Sequence, residues 1–460
     1  MSPGIAAGHP ATADAGAEIL AEGGTAADAA VAASLASCAA EVVMTGLAGG
    51  GHALWWDGAS GRATLLDFFV AVPGLGREPR PVELTHLEVP FGAELVHYAV
   101  GIGSCGVPGV PAGLDELWRG HGRLPWSRLV EPAIRIARDG VPLPPAHAAC
   151  LTMLEPVMTM REGAEIFAPA GALLRAGDEL RQPGLARAFE LLADEGGRSF
   201  YQGSLAESLL GLMAERGGLV TPKDLAAYRP RWAAPTEGRY AGRRVLTRGG
   251  LARLVPALER LPRLRDLSHG DRALALVGAL DGRDQNGDTT NLVAVDGEGN
   301  ACALTTSLGL GSGDFLPGLE VHLNSMLGES DLLEGSLEPG ARMGSMMAPC
   351  AIVASDGLEL VGGAAGGTRL RSALTQVLAG ILDEGLEPQA AVDRPRLHPT
   401  KDAVHLEPGF SEAVVAALEQ QGKVVRPWPE KHHFFGGVSL VSRSGAAADP
   451  RRSGAVRTPA

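Results

Sequence analysis

Aromatic side chains are scarce: Phe, Trp and Tyr together make up 4% of the 460 residues. The core therefore has to close through small aliphatic contacts. No stretch offers eighteen uncharged apolar residues in a row, which argues against a membrane-spanning helix. No early segment joins a basic start, an apolar block and a cleavage site, so cytoplasmic residence is the expectation. Runs of Lys or Arg are absent as well. With a formal charge of −13 and a pI near 5.4, neither nucleic acid nor an anionic membrane is expected as a partner. The five cysteines, Cys38, Cys105, Cys150, Cys302 and Cys350, are odd in number, widely spaced and without a C-x-x-C pair; they read as buried small hydrophobes. G-x-S-x-G and H-E-x-x-H do not occur, and His432 and His433 are adjacent rather than one helical turn apart. No metal and no cofactor are expected.

What the chain has in abundance is glycine, 63 residues, together with alanine, which favours an α/β layered enzyme of closely packed helices. Its length allows a substantial core. Residues 10 to 38 carry apolar positions at helical spacing, broken at Gly23 and Gly24, with Thr25 placed to cap a second helix. GLAGGGHALWWDGASGRATLLDFF reads as a glycine-rich loop feeding a hairpin. A phosphate loop would need Lys and Ser/Thr after the glycines, and His52 and Ala53 stand there instead. A helix is expected from about Pro125 to Arg138, and Thr221 is placed to cap another with Asp224 as its partner. Residues 245 to 285 are the least legible, because their prolines prevent one long helix. Beyond Thr289, TTNLVAVDGEGNACALTTSL and AIVASDGLELVGG are expected hairpins, with covering helices at about 369 to 383 and 410 to 421.

The stretch GDTTNLVAVD puts two threonines at the head of a strand. If the peptide bond before Thr289 were cut, the freed α-amine, with an ordinary pKa near 7.7 to 8.0, would sit beside the residue's own hydroxyl. Nucleophile and general base would then share one residue, and the β-branch would hold Oγ1 in one direction. A Thr-Thr pair also opens strands for conformational reasons alone.

Several long blocks in order decide between these readings. HPATADAGAEILAEGGTAADAAVAA, GLAGGGHALWWD, GVPGVPAGLDELWRGHGRLPWSRLVEPAIRIARDG, FYQGSLAESLLGLMAERGGLVTPKDLAAYRPRW and HHFFGGVSLVSRSGAAADPRR make the chain resemble the gamma-glutamyltransferase (gamma-glutamyltranspeptidase) family from end to end. That family belongs to the N-terminal nucleophile hydrolases. The resemblance implies a four-layer αββα sandwich and self-cleavage between Asp288 and Thr289, giving a large segment 1–288 and a small segment 289–460 intertwined in one domain. Thr289 would form an acyl-enzyme and pass the acyl group to water or an amine. Gly366 and Gly367 match the family's oxyanion pair, and Ser307 takes the place of a threonine that orients the nucleophile. The implied partners are a small-molecule amide or gamma-glutamyl-type donor and its acceptor. The implied assembly is a heterodimer of the two fragments, with a higher homo-oligomer left open.

The recognition residues depart from the family pattern. Phe69 in DFFVAVPG stands where the family carries an arginine for the glutamyl α-carboxylate, and a ring cannot replace a bidentate guanidinium. LNSMLGES supplies Asn324, Met326 and Glu329, with the acid one methylene longer than usual. The paired serines become Ser345 and Met346, and an asparagine becomes Gly309. The expectation is thus a threonine amidohydrolase or acyltransferase with altered acyl specificity and poor use of glutathione. The alternatives are genuine gamma-glutamyl transfer, with Arg342 or Arg369 taking over the carboxylate, and a non-catalytic or biosynthetic relative.

Overall fold

The computed structural model describes residues 1–78, 80–91, 94–280, 289–333, 337–367 and 369–459. Helices and two large antiparallel sheets make up the chain. The first sheet runs in the order Ala455–Arg457, Gly4–Ala7, Thr290–Val295, Ala301–Ser307, Gly50–Asp57, Arg62–Phe68 and Arg231–Ala233. The second runs Gly445–Ala448, Gly437–Ser442, Gly357–Ala365, Cys350–Ala354, Arg243–Thr247 and Thr236–Tyr240. The strand that follows Thr289 thus lies between Gly4–Ala7 and Ala301–Ser307, with Ala6 pairing with Val293, and the C-terminal strand Ala455–Arg457 pairs in turn with Gly4–Ala7.

The hairpins form where alternation meets a turn signal. Between Thr290–Val295 and Ala301–Ser307, Asp296 Oδ1 accepts from the amides of Glu298 and Asn300, and Gly299 takes φ +81°. The other oxygen of Asp296 accepts from the amide of Ala26 at 2.9 Å. The same turn therefore ties the start of helix Ala26–Ala40 to the strand. Thr25 caps that helix in a reciprocal box with Asp28, and Thr221 does the same with Asp224 for Pro222–Ala227. Every residue of Ala26–Ala40 is buried, which its small side chains permit. A Cβ on Gly16 of the neighbouring helix Pro10–Ala21 would lie 3.3 Å from Ala33 Cβ and 2.0 Å from Ile5 Cδ1, so glycine is what allows this approach.

The pleat sorts the strand after Thr289 into two faces. Leu292 and Ala294 join an apolar cluster with Ile5, Leu304 and the helix Ala26–Ala40. Val293 and Val295 meet Leu246, Val353, Val361 and Val441 of the second sheet. The far side of that sheet, with Ile352, Leu360 and Leu440, packs on Leu370, Leu374 and Val377 of helix Arg369–Leu382. Residues 245 to 280 supply Leu254–Glu259 and His269–Leu280 to the same cluster. All five cysteines are buried, and burial pushes the thiols of Cys302 and Cys350 up to about 12, which makes them poor nucleophiles. Among the described residues no helix is long and apolar enough to cross a membrane.

Candidate active site

Thr289 stands one residue before Thr290–Val295 and is 6% exposed. Alternation along the strand turns its side chain toward the second sheet, on the face it shares with Asn291. There Gly366, just past the end of Gly357–Ala365, donates its N–H to Thr289 Oγ1 at 2.6 Å. Gly366 and Gly367 take φ +122° and +57°, a backbone that side chains disfavour. They lie at the start of the fourteen-residue helix Arg369–Leu382, whose dipole favours negative charge at this end. Asp288 lies outside the described residues.

A cleft opens beside Thr289. It is lined by Thr289, Ser307 and Gly367 together with Phe69, Met326, Glu329, Ser345 and Met346. Eight residues scattered through the sequence therefore meet at one place, and Leu332, Met347 and Leu370 complete the wall. Ser307 ends the strand next to that of Thr289, one position past the Thr290 to Thr306 pair, and its Oγ accepts from the amide of Gly309 at 2.9 Å. Phe69 is held firmly: its amide donates to Asp67, its carbonyl accepts from Tyr228 Oη at 2.7 Å and from Arg342, and its ring stacks on His52 at 5.6 Å. Glu329 is buried, and a Cβ on Gly309 would lie 2.4 Å from its Oε1. The glycine makes the room that the longer acid occupies.

Two other groups lie elsewhere than at the cleft wall. Asn324 is fully buried and uses its amide on the backbone: Nδ2 donates to the carbonyls of Ala48 and Gly106, and Oδ1 accepts from the amides of Gly106 and Met326. Arg342 donates to the carbonyls of Phe69 and Arg229 and lies over the Tyr228 ring at 4.6 Å, while Arg369 donates to the Phe434 carbonyl. Among the described residues no arginine lines the cleft.

Three charged residues near Thr289 were missed by the sequence reading. Glu41, Asp449 and Arg452 line a second cavity that also includes Thr289 and Thr290. A signal for Glu41 existed: it is the only acid between Asp28 and Asp57, and an isolated acid in a run of small apolar residues is unusual unless paired.

A strand-opening threonine hydroxyl, held by the N–H of a diglycine turn at the mouth of a cleft, is the equipment of an acyl-transferring hydrolase. The chain matches the Gamma-glutamyltranspeptidase family over residues 12–269 and 258–458, and it belongs to that family of enzymes. It is 26% identical to the glutathione hydrolase proenzyme of Bacillus subtilis (strain 168), over 96% of this chain and 90% of that one. It is 28% identical to the acylase ACY 1 proenzyme of Pseudomonas sp. (strain V22), over 92% and 87%. The solved structure of cephalosporin acylase from Bacillus halodurans superposes with a TM-score of 0.83 at 26% identity, covering 99% of this chain and 96% of that one.

Proposed function

We propose that the protein is a self-processing threonine amidohydrolase or acyltransferase that prefers a less polar acyl group than gamma-glutamyl. The observation that carries the reading is the 2.6 Å contact from the Gly366 N–H to Thr289 Oγ1 beside the cleft. Scission between Asp288 and Thr289 divides the chain into segments 1–288 and 289–460, held together as an intertwined heterodimer. In this reading the two facing sheets and their outer helices are the layers of a four-layer αββα sandwich of the N-terminal nucleophile hydrolase type. A cytoplasmic location is part of the same reading.

In the reaction the Thr289 amine takes the hydroxyl proton as Oγ1 attacks the acyl carbonyl. The oxyanion forms one atom removed from Oγ1, within reach of the N–H groups of Gly366 and Gly367, and the adjoining helix dipole stabilises it. Ser307 orients the nucleophile. The leaving amine departs with the proton, and water or an acceptor amine then resolves the acyl-enzyme.

The wall made by Phe69, Met326, Met346 and Met347 supports an apolar acyl chain, with Glu329 and Ser345 as the polar contacts. Arg342 and Arg369 are engaged with backbone carbonyls, so neither supplies a ready clamp for a glutamyl carboxylate. The relatives named as acylases favour this reading, and those named as glutathione hydrolases favour genuine gamma-glutamyl transfer. A denaturing gel with intact mass tests the first half: two fragments are expected, one beginning at Thr289, with Thr289→Ala remaining a single 47.4 kDa chain. An uncut wild type that still turns over substrate overturns it. A pair of anilides tests the second half: an aliphatic acyl anilide should exceed its gamma-glutamyl counterpart by about tenfold or more in kcat/KM, the worth of one charged hydrogen bond or more. The reverse order favours gamma-glutamyl transfer.

A further inference from the structure

Glu41 takes part in none of these steps, yet its placement is costly. It follows the last residue of helix Ala26–Ala40 and is 1% exposed. That is the end of a helix where an acid is disfavoured, and a buried carboxylate is tolerated only with specific partners. Its partners converge on the start of the strand that follows Thr289. Thr290 Oγ1 donates to Glu41 Oε2 at 2.5 Å, and Thr12 Oγ1 donates to Oε1 at 2.7 Å. Gly8 leaves room for the carboxylate: a Cβ there would lie 2.6 Å from Oε2 and 3.0 Å from Thr290 Oγ1. Buried Arg452 supplies opposite charge to Glu41 and adjoins the diglycine turn, since a Cβ on Gly366 would lie 3.1 Å from its Nη2. Glu41, Arg452, Thr289 and Thr290 line one cavity.

We propose that Glu41 is a positioning residue for Thr289, fixing the first residues of the nucleophile strand through Thr290 and acting only when ionised. The proposal rests on the reading of Thr289 as nucleophile. Only a carboxylate accepts from both threonine hydroxyls at once; protonation turns one oxygen into a donor and forces one of the two hydroxyls to turn and accept instead. Burial raises the Glu41 pKa from its ordinary value to about 7, with the Thr290 and Thr12 hydroxyls and Arg452 pulling the other way, so the changeover falls near neutrality.

The other titratable and charged groups around it are few. Asp449 and Arg452 face the cavity from the C-terminal turn and His147 from helix Pro145–Met153, while Cys38 lies on the helix of Glu41 itself. Asp449 stays ionised, because Arg396 and Arg451 outweigh its burial, and burial keeps the Cys38 thiol protonated. His9, edge-on to His147, is held neutral by burial, with its pKa lowered to about 3.

The test is the rate at which a fluorophosphonate labels Thr289 in the mature protein, measured from pH 4.5 to 9 with pulses short against acid unfolding and with near-UV circular dichroism confirming the folded state at each pH. With two groups required in their deprotonated forms, the Thr289 amine and Glu41, the logarithm of the wild-type rate should fall with a slope of two below about pH 6. Glu41→Gln should lower the plateau about tenfold through mispositioning and reduce the slope to one. Glu41→Asp should keep the slope of two. A role in stability alone would change neither slope. Thr12→Val keeps the carboxylate and removes one hydrogen bond, so its acid limb should move up by about half a unit; it serves as well if Glu41→Gln does not fold. A cleaved and labelled wild type with Glu41→Gln still at slope two, or an unmoved limb in Thr12→Val, overturns the Glu41 proposal alone. A wild type that yields no fragment beginning at Thr289 and takes no label there overturns the nucleophile reading, and this proposal with it.

Discussion

Replacing Gly366 by alanine isolates the backbone's share of catalysis. At φ +122° an L side chain is strained, and such strain costs of order 1 to 3 kcal/mol. The added Cβ would lie 2.8 Å from Gly436 Cα, a backbone atom, and 3.1 Å from Arg452 Nη2. Gly436 cannot give way easily, because it sits at φ +73° with its own Cβ direction 2.8 Å from the Ala365 carbonyl. Reaching an ordinary carbon contact of about 3.5 Å requires a shift of about 0.7 Å. A displacement of that size directed away from the hydroxyl stretches the contact from the Gly366 N–H to Thr289 Oγ1 from 2.6 Å to about 3.3 Å, past the usual range of about 2.7 to 3.2 Å. Weakening of one oxyanion donor should lower kcat, by up to about 10²- to 10³-fold for complete loss, and uncut chain should accumulate because the same N–H holds the Thr289 hydroxyl in the uncut chain. Gly385→Ala is the control: φ is again positive, at +73°, but nothing lies within 4 Å of the added Cβ, so it should cost about 1 kcal/mol of stability and leave the rate unchanged. Labelling rate, turnover and thermal melting of both variants decide the matter. A Gly366→Ala protein fully cleaved and within threefold of wild type refutes the assignment of that N–H.

Asn324→Ala should act on stability rather than on KM. Two carbonyls and two amides lose their partner in the interior, at about 3 to 5 kcal/mol after partial relaxation; a raised KM with unchanged urea midpoint would instead make Asn324 a substrate contact. Acid should destabilise the fold early. Burial lowers the pKa of His9, His52, His322, His398 and His433, to about 3 for His9 and His322, so the unfolded chain binds protons that the folded one refuses. The stability these groups confer is whole above pH 6.5 and falls as pH drops below it. Glu41, raised to about 7, opposes this between pH 7 and 4.5 by holding a proton in the folded state. Five histidines outweigh one carboxyl, and a urea midpoint at pH 5.5 equal to or above that at pH 7.5 would contradict the account.

What the sequence revealed follows from how local each signal is. The hairpin beyond Thr289 was legible because alternation and the DGEG turn lie within twenty residues, and the Thr221 box because its partner stands three residues on. Residues 245 to 280 were not. Pro256 is the third residue of the six-residue helix Leu254–Glu259, where a missing N–H costs nothing, but Arg253 before it takes φ +46°. The helix that follows packs on helix Arg369–Leu382, a partner far away in sequence. The partners of Glu41 lie 29 and 249 residues away, and those of Asn324 up to 276. No window on the chain could contain them.

The two halves of the site differ in how they are held, which explains why one matches the family pattern while the other departs from it. Thr289 and the diglycine turn are fixed by backbone pairing, Thr290 with Thr306 and Ala365 with Gly437. Any sequence that keeps those strand pairings and the packing of the two sheets keeps residue 289 beside its N–H donor. The cleft wall comes from Phe69, Met326, Glu329, Ser345 and Met346, which lie beyond strand ends or in short 3₁₀ turns and irregular segments. Side chains there can change without moving a sheet. Gly309 and Glu329 show such a change completed, the glycine opening the space that the longer acid fills. Acyl specificity in this scaffold is therefore separable from acyl transfer, so exchanging the wall residues should redirect the enzyme while leaving the labelling of Thr289 intact.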